Sequence, residues 1–351
     1  MTETPTATGT PKGRSPSRWK YRLLVSLVLL VVALWSTYWA IGRGMAVDIL
    51  RNTVEVAKTE GGRLACGDQS LGGYPFRFEL RCTPLDVAAA TGDSLSLGGL
   101  RAVALAYNPR QLIVEADAPA RLVRSAGPAG LAVDATWRTA RSSARLGDET
   151  VARMDLVVEA PAVDIALDGA GADIPFRVAA DRAELHLRQS PEVAEDVDLA
   201  VRLAAVSTLP SVPAVDLFAD MTVAGAAPLL GRSDGDWRAL LASREALAIE
   251  RLVLSSGKLS LQASGALWLD EAGRLSGSLP LTVAGVDQLA QALAPFFPPE
   301  STVPATLQGA LMGFGSPVEL DGVPAVTVPL RFEGGVARVG LIPIGRLGPL
   351  M

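Results

Sequence analysis

The chain has 351 residues, of which 49% are hydrophobic and 5% aromatic, and it carries 32 basic and 37 acidic side chains for a net charge of −5. This length and this apolar fraction suffice for a large folded core and exclude a mainly disordered chain. The acidic balance repels phosphate, so neither nucleic acid nor an anionic membrane surface is an expected electrostatic partner.

An apolar run near the start predicts a membrane-spanning helix. Residues 1–22 are rich in Thr, Pro, Gly and Ser and end in a cluster of Lys and Arg, which predicts a disordered, basic cytoplasmic tail. Residues 23–41 then carry no charge, and as a helix they would span about 28 Å, close to the hydrocarbon thickness of a bilayer. The basic cluster places the start of the helix on the cytoplasmic side and residues 42–351 across the membrane.

The alternative interpretation of this run is a cleaved signal peptide. Signal peptides usually have an apolar region of about 7 to 15 residues that ends in a small-x-small site. This run is longer and ends in aromatic residues of the kind that form an interfacial belt, which favours a retained anchor. The residues that represent the anchor are Leu23, Leu30, Trp35, Trp39 and Ile41.

A helix and a hairpin are predicted next. Apolar residues recur at helical spacing from Met45 to Glu60, and two glycines end the pattern. Cys66 and Cys82 then flank a Gly-Gly turn and an alternating stretch, which predicts a hairpin. A disulfide between them is expected in an oxidising compartment such as a bacterial periplasm, and would contribute about 3 kcal/mol. Two buried free thiols are the alternative, because spacing alone does not show that the Cα atoms approach closely enough.

The rest of the chain predicts a sheet. Short segments of period two recur between Gly, Pro and Asp signals: Leu112–Glu115, Val151–Glu159, Ile174–Ala180, Ala183–Arg188 and Asp196–Leu203. Between Leu252 and Val283 the apolar positions repeat across successive strands joined by short turns, which is typical of an antiparallel meander. The apolar face of this meander is predicted at Leu259, Leu261, Leu267, Leu269, Leu279, Leu281 and Val283.

Two helices are predicted to cover this sheet, at Asp236–Leu247 and Val286–Ala294. The proline-rich stretches Leu209–Pro213 and Pro295–Pro304 are candidate domain boundaries that also fit loops, and one continuous unit over 42–351 is preferred. The predicted fold is therefore mainly β, of the α+β class. It consists of an N-terminal transmembrane helix and a large curved antiparallel sheet with a few covering helices.

The sequence predicts no catalytic residue, metal or cofactor. Gly92-Asp93-Ser94-Leu95 resembles the nucleophile block of GDSL esterases, but the only histidine, His186, lacks the Asp-x-x-His context of that family's base. A serine without a base is a poor nucleophile, so His186 is interpreted as a solvent-facing strand residue. One histidine and two cysteines make no zinc set, and the calcium-like stretch Asp168–Asp173 stands alone and is interpreted as a loop.

Several stretches resemble the bacterial domain-of-unknown-function 2125 family. They are Cys66–Cys82 soon after a single anchor, Val212–Leu217 in the middle, and Val328–Gly335 followed by Gly340–Gly345 at the end. This resemblance covers nearly everything after the anchor and implies location and topology, but the family carries no established activity. The meander from Leu252 to Val283 is also similar to segments of AsmA-like envelope proteins, single-anchored β-rich proteins linked to lipid traffic and outer-membrane maintenance.

The leading hypothesis is a non-enzymatic, single-pass protein of the inner membrane with a periplasmic body. Its expected partners are the membrane itself and, at the apolar face, lipid acyl chains or an envelope protein. A structural or adaptor protein with a closed β core that binds a protein partner is the alternative, and an enzyme comes third. The sequence predicts no oligomeric state.

The predicted orientation can be tested with a reporter. A phosphatase that is active only outside the cytoplasm is expected to be active when it is fused after Met351, because the basic cluster holds the other end of the helix inside. Activity measured only with a reporter that works in the cytosol would contradict the prediction. A mature chain trimmed just past Trp39 would contradict it as well.

Overall fold

The computed structural model describes residues 18–125, 130–148, 150–167, 176–208, 212–231, 236–243, 246–340 and 342–350. The predictions for residues 1–17 and for the calcium-like stretch Asp168–Asp173 lie outside the described residues. The candidate boundary Leu209–Pro213 is described only at its last two positions.

One continuous helix, α1 (Arg18–Thr59), contains both the predicted anchor and the predicted helix that follows it. It is long and apolar enough to cross a membrane, and it is the only such helix in the described part of the chain. The two predicted segments are continuous, although Gly42 and Gly44 lie between them. A glycine costs an α-helix only about 1 kcal/mol relative to alanine, so two of them do not end a helix that is otherwise well formed.

Nineteen strands follow within the described residues, and all their pairings are antiparallel. The first ten are β1 (Arg63–Gly72), β2 (Arg77–Ala88), β3 (Ser94–Leu105), β4 (Asn108–Arg124), β5 (Leu131–Thr136), β6 (Thr139–Leu146), β7 (Val151–Glu159), β8 (Ala162–Leu167), β9 (Phe176–Ala179) and β10 (Arg182–Gln189). The others are β11 (Val197–Val206), β12 (Val215–Val223), β13 (Leu247–Ser256), β14 (Leu259–Leu269), β15 (Leu275–Ala284), β16 (Ser316–Leu320), β17 (Val323–Glu333), β18 (Val336–Val339) and β19 (Ile342–Arg346).

These strands form one meander in which neighbours along the chain are mostly neighbours in the sheet. After β4 the sheet divides into two branches, because β5 and β6 both pair with β4. One branch contains β5, β8 and β9, and the other runs through β6, β7 and β10 into β11. From β11 to β15 each strand pairs with the next, and β15 pairs with β17, which also holds β16 and β18. The sheet is not closed, and the predicted antiparallel meander is confirmed.

Three further α-helices lie in the described part of the chain: α2 (Trp237–Leu241), α3 (Leu289–Leu293) and α4 (Val303–Phe314). The helix predicted over Asp236–Leu247 is shorter than expected. Asp236 caps it by accepting a hydrogen bond from the backbone N–H of Ala239, and Leu247 already begins β13. The helix predicted over Val286–Ala294 is confirmed as a 3-10 turn followed by α3.

The sequence analysis missed α4. Its first turn contains Pro304, which a helix tolerates there because the N–H groups of the first turn have no intrahelical partner. α4 packs against α3 and β17. The two helices on either side of the stretch Pro295–Pro304 thus pack against each other.

The predicted hairpin and its disulfide are both present. Cys66 on β1 and Cys82 on β2 are bonded, with their Cα atoms 5.4 Å apart, and both cysteines of the chain are used. β1 and β2 pair from Arg63 with Ala88 to Gly72 with Glu79, and α1 packs against β1. The disulfide thus reinforces the hairpin that joins the helix to the sheet.

The disulfide yields a stability prediction. The double variant Cys66→Ser/Cys82→Ser is expected to lose about 2 to 4 kcal/mol of unfolding free energy, because the bond closes a loop in the unfolded chain. The measurement is urea unfolding of the full chain in detergent micelles. A reductant should lower the midpoint of the wild-type protein and leave the double variant unaffected. Equal midpoints of the oxidised wild type and the variant would contradict the prediction.

Candidate functional site

Strand register separates the sheet into an apolar face and a polar face. Directly opposed residues of antiparallel strands point to the same side, and one row of opposed residues runs from β2 to β17. All twelve members are apolar: Cys82, Leu100, Ala116, Ala140, Val158, Ala183, Leu203, Leu217, Leu254, Leu261, Val283 and Val326. At about 4.8 Å per strand, this row is about 50 Å long. The side of the sheet that carries it is called the apolar face below.

A second row on the same face begins at the anchor helix. Its members are Phe78, Ala104, Leu112, Ala144, Met154, Leu187, Leu199, Met221 and Ile249. The ring of Phe78 stacks on that of Trp39, with centroids 5.9 Å apart. Gly42 allows this approach, since a Cβ there would lie 2.6 Å from the Phe78 ring. The apolar face therefore starts in contact with α1.

The aromatic residues that end the anchor run bind the β body. Each donates a hydrogen bond to a backbone carbonyl in the first two hairpins. The bonds are Trp35 Nε1 to Pro75 O at 2.9 Å, Tyr38 Oη to Ala106 O at 2.8 Å, and Trp39 Nε1 to Arg77 O at 2.9 Å. The anchor residues Leu23, Leu30 and Ile41 are exposed on α1, as is expected for side chains that face lipid.

Helices cover only part of the apolar face. One core cluster packs residues of β14, β15 and β17, among them the fully buried Val283, against α3 and α4. A second lies beside α2 and includes Val197, and a third joins side chains of β12–β15 and β17. None of these three clusters includes a residue of β2–β6. Apart from the contacts of α1 with β1 and with Phe78, the described residues of β2–β6 therefore present their apolar side chains without a covering helix.

The residues predicted to form the apolar face all lie on it, but in its covered part. Leu259, Leu267, Leu269, Leu279 and Val283 are buried, and Leu261 and Leu281 pack against the first cluster. They form the core of the protein itself. The uncovered part lies at half-buried residues such as Leu100 and Val114, which the sequence analysis did not single out. Val114 lies in the predicted strand Leu112–Glu115, whereas no strand was predicted at Leu100, and the helices that cover the face elsewhere are remote in sequence from both.

The polar face is held by alternating charges on successive strands. Glu79 is buried and binds three arginines, with distances of 2.9 Å to Arg77, 2.6 Å to Arg81 and 2.9 Å to Arg101. The alternation continues through Glu115, which lies 3.0 Å from Arg101 and 3.2 Å from Arg141. Hydrogen bonding from Arg101 holds the pKa of Glu79 below its ordinary value, and this effect outweighs burial, which raises the pKa. Glu79 is therefore ionised at neutral pH.

His186 lies on this polar face, as the sequence analysis predicted. Its Nδ1 is 2.8 Å from Asp155 Oδ1. The pKa of Asp155 is lowered chiefly by the hydrogen bond from Arg153, with a smaller contribution from His186. Four strand spacings, about 19 Å, separate β10 from β3, where Ser94 lies, so His186 is too far away to act as its base. Within the described residues no group of His, Cys, Asp and Glu side chains has the arrangement of a metal site.

Comparison with known proteins now assigns a family. The model of a family described as "Uncharacterized protein conserved in bacteria (DUF2125)" matches residues 39–348. The chain belongs to this family. No curated protein and no solved structure matches the chain, so the expected likeness to AsmA-like envelope proteins is not supported by a match. The DUF2125 match begins inside α1 and includes the whole sheet.

The charge cluster at Glu79 yields a stability prediction. Glu79→Gln is expected to lower the unfolding free energy at pH 7 by about 1 to 3 kcal/mol, because it leaves three arginines without their shared carboxylate. The measurement is thermal unfolding of the full chain in micelles. A suitable control is Glu55→Gln, since Glu55 is exposed and binds only Lys58.

The same cluster predicts a pH dependence. Because the pKa of Glu79 is lower in the folded protein than its ordinary value of 4.5, its stabilising contribution is complete above that value and is lost as the pH falls through the folded pKa. The difference between wild type and Glu79→Gln should therefore shrink in acid. A difference that grows in acid would contradict this assignment.

Proposed function

We propose that this DUF2125 protein is a non-catalytic, single-pass inner-membrane protein whose body lies in the periplasm and holds lipid acyl chains on its apolar face. The observation that carries the proposal is the unbroken apolar row from Cys82 to Val326, together with the neighbouring row that starts at α1. An apolar surface of this length has to be covered by protein, ligand or membrane. Orientation and compartment are supported by the basic residues before the anchor and by the oxidised Cys66–Cys82 pair.

Acyl chains fit this face better than a peptide does. A bound peptide needs about one hydrogen bond per 100–200 Å² of interface, whereas the two rows offer only apolar side chains. The backbone groups between them are already used in the ladders of the sheet. An acyl chain needs no hydrogen bond. The arrangement therefore favours lipid over an extended polypeptide on this surface.

A second candidate function is that of an adaptor with a sealed core. It is favoured by the C-terminal strands, where α3 and α4 close the apolar face, and by the exposed side chains of Met312 and Phe314 on the outside of α4. In this case the partner would be a protein of the envelope, and it would close the uncovered strands as α3 and α4 close the C-terminal ones.

Photo-crosslinking in the middle of the sheet tests the proposal. A benzophenone amino acid is introduced at Val201, on the apolar face, or at its neighbour Ala200, on the polar face; both positions are half-buried. β11 lies six strand spacings, about 29 Å, from β2, which contacts α1, so lipids that merely surround the anchor do not reach it. After irradiation of cells that contain the full chain, mass spectrometry should find phospholipid adducts at position 201 and none at 200.

Other outcomes of this experiment would contradict the lipid proposal. Equal adducts at both positions would indicate random contact with lipid. A protein adduct at 201 with no lipid adduct would favour the adaptor. Hydrolysis of ester substrates that disappears in Ser94→Ala would overturn the proposal that the protein is not an enzyme.

A further inference from the structure

The first two hairpin turns lie beside the middle of the anchor rather than beyond its end. They are residues 73–76, between β1 and β2, and residues 106–107, between β3 and β4. Between these turns and α1 there is a pocket of 480 Å³, within the range of about 300 to 1,000 Å³ that is usual for small-molecule sites. Its lining includes Val31, Val32 and Trp35 of α1 and Tyr74, Phe76 and Tyr107 of the turns.

The position of this pocket along α1 places it at membrane depth. Val32 belongs to the uncharged run and precedes its last residue, Ile41, by nine positions, which is about 14 Å along a helix axis. The hydrocarbon layer of a bilayer is about 30 Å thick. When α1 crosses the membrane, the pocket and both turns therefore lie within the hydrocarbon of the leaflet on the side of the body.

The hydrogen bonds of the turns are suited to this position. Hydrocarbon contains no water, so an unpaired carbonyl costs several kcal/mol there. Trp35, Tyr38 and Trp39 provide donors to three carbonyls at these turns, and the hydroxyl of Tyr74 lies 2.9 Å from that of Ser36. In water such carbonyls would be solvated without help from the helix. Trp35, Tyr38 and Trp39 thus provide the hydrogen bonds that water cannot provide to these carbonyls inside the hydrocarbon.

The exposed side chains of the turns lead to the same conclusion. Phe76 is 67% exposed and Tyr107 is 68% exposed. Arginines follow these side chains in the sequence: Arg77 comes directly after Phe76, and Arg110 comes three residues after Tyr107. Arg43 likewise follows the last residue of the anchor run by two positions. Exposed aromatic residues followed by arginine are typical of a segment that enters a leaflet and keeps its cations at the headgroups.

We propose that the two turns insert into the leaflet beside α1 and that their pocket binds one acyl chain of a phospholipid of that bilayer. The pocket is the membrane end of the apolar face. Phe76 lines it, and Phe78, two residues later, stacks on Trp39 and begins the second apolar row. The onward path of the chain along this row rests on the proposed function. Insertion of the turns rests only on the contacts between the turns and the anchor.

The direct test compares two exposed phenylalanines. A benzophenone amino acid replaces Phe76 or, as the control, Phe314, which is 74% exposed on α4. The full chain is reconstituted in vesicles of phosphatidylethanolamine and phosphatidylglycerol and irradiated. Attachment to acyl carbons is expected at position 76 and should exceed that at position 314 by about tenfold or more, because only hydrocarbon-level side chains meet acyl chains. Equal yields, or attachment only to headgroups at position 76, would overturn the insertion.

A second experiment separates this inference from the proposed function. The double variant Phe76→Asp/Tyr107→Asp is combined with the benzophenone at Val201, and correct folding is checked by formation of the Cys66–Cys82 disulfide. Loss of most lipid adducts at 201 is expected if chains pass through the pocket, whereas unchanged adducts at 201 would overturn that role of the pocket. Adducts at 76 without any at 201 in the unaltered protein would support insertion and contradict the proposed function.

Discussion

The structure depends on the pairing register of its antiparallel strands. In an antiparallel meander each strand takes its position from the one before it, and a slip of one residue would turn every apolar side chain to the other face. The row from Cys82 to Val326 keeps the same side through twelve strands, even though bulges occur in β11 and β13. The result is a sheet with one continuous apolar face, and the rest of the architecture consists of different ways of covering it.

Different elements cover the apolar face at the two ends of the sheet. At the C-terminal end, α3 and α4 lie over Val283 and Val328 and form a dry core. At the N-terminal end, α1 packs on β1 and stacks Trp39 on Phe78 of β2, and none of the three core clusters of the described residues includes β3–β6. The charged cluster around Glu79 stabilises these same strands from the other side, which allows them to hold their register without a helix above. An open apolar face and a tightly paired polar face are therefore complementary features of the same strands.

The continuous helix makes the membrane part of this architecture. α1 continues without a break beyond its apolar run, and it packs against β1, so the sheet has a defined position relative to the anchor. Side chains that could have served only as an interfacial belt, Trp35 and Trp39 among them, instead bind carbonyls of the first hairpin. Membership of the DUF2125 family extends over this junction, since the match begins at residue 39.

The sequence by itself determined the features that depend on local pattern. The anchor, the disulfide hairpin and strands such as Asp196–Leu203 were predictable because uncharged length, cysteine position and period two are properties of short segments. Only the tertiary structure decided what covers the apolar face. Leu259 and Val114 both lie in strands that the sequence predicts, yet α3 and α4 bury the first and no helix of the described chain covers the second. The contact of Trp35 with Pro75 joins residues 40 positions apart, and such meetings are set by packing and strand register, which no local pattern encodes.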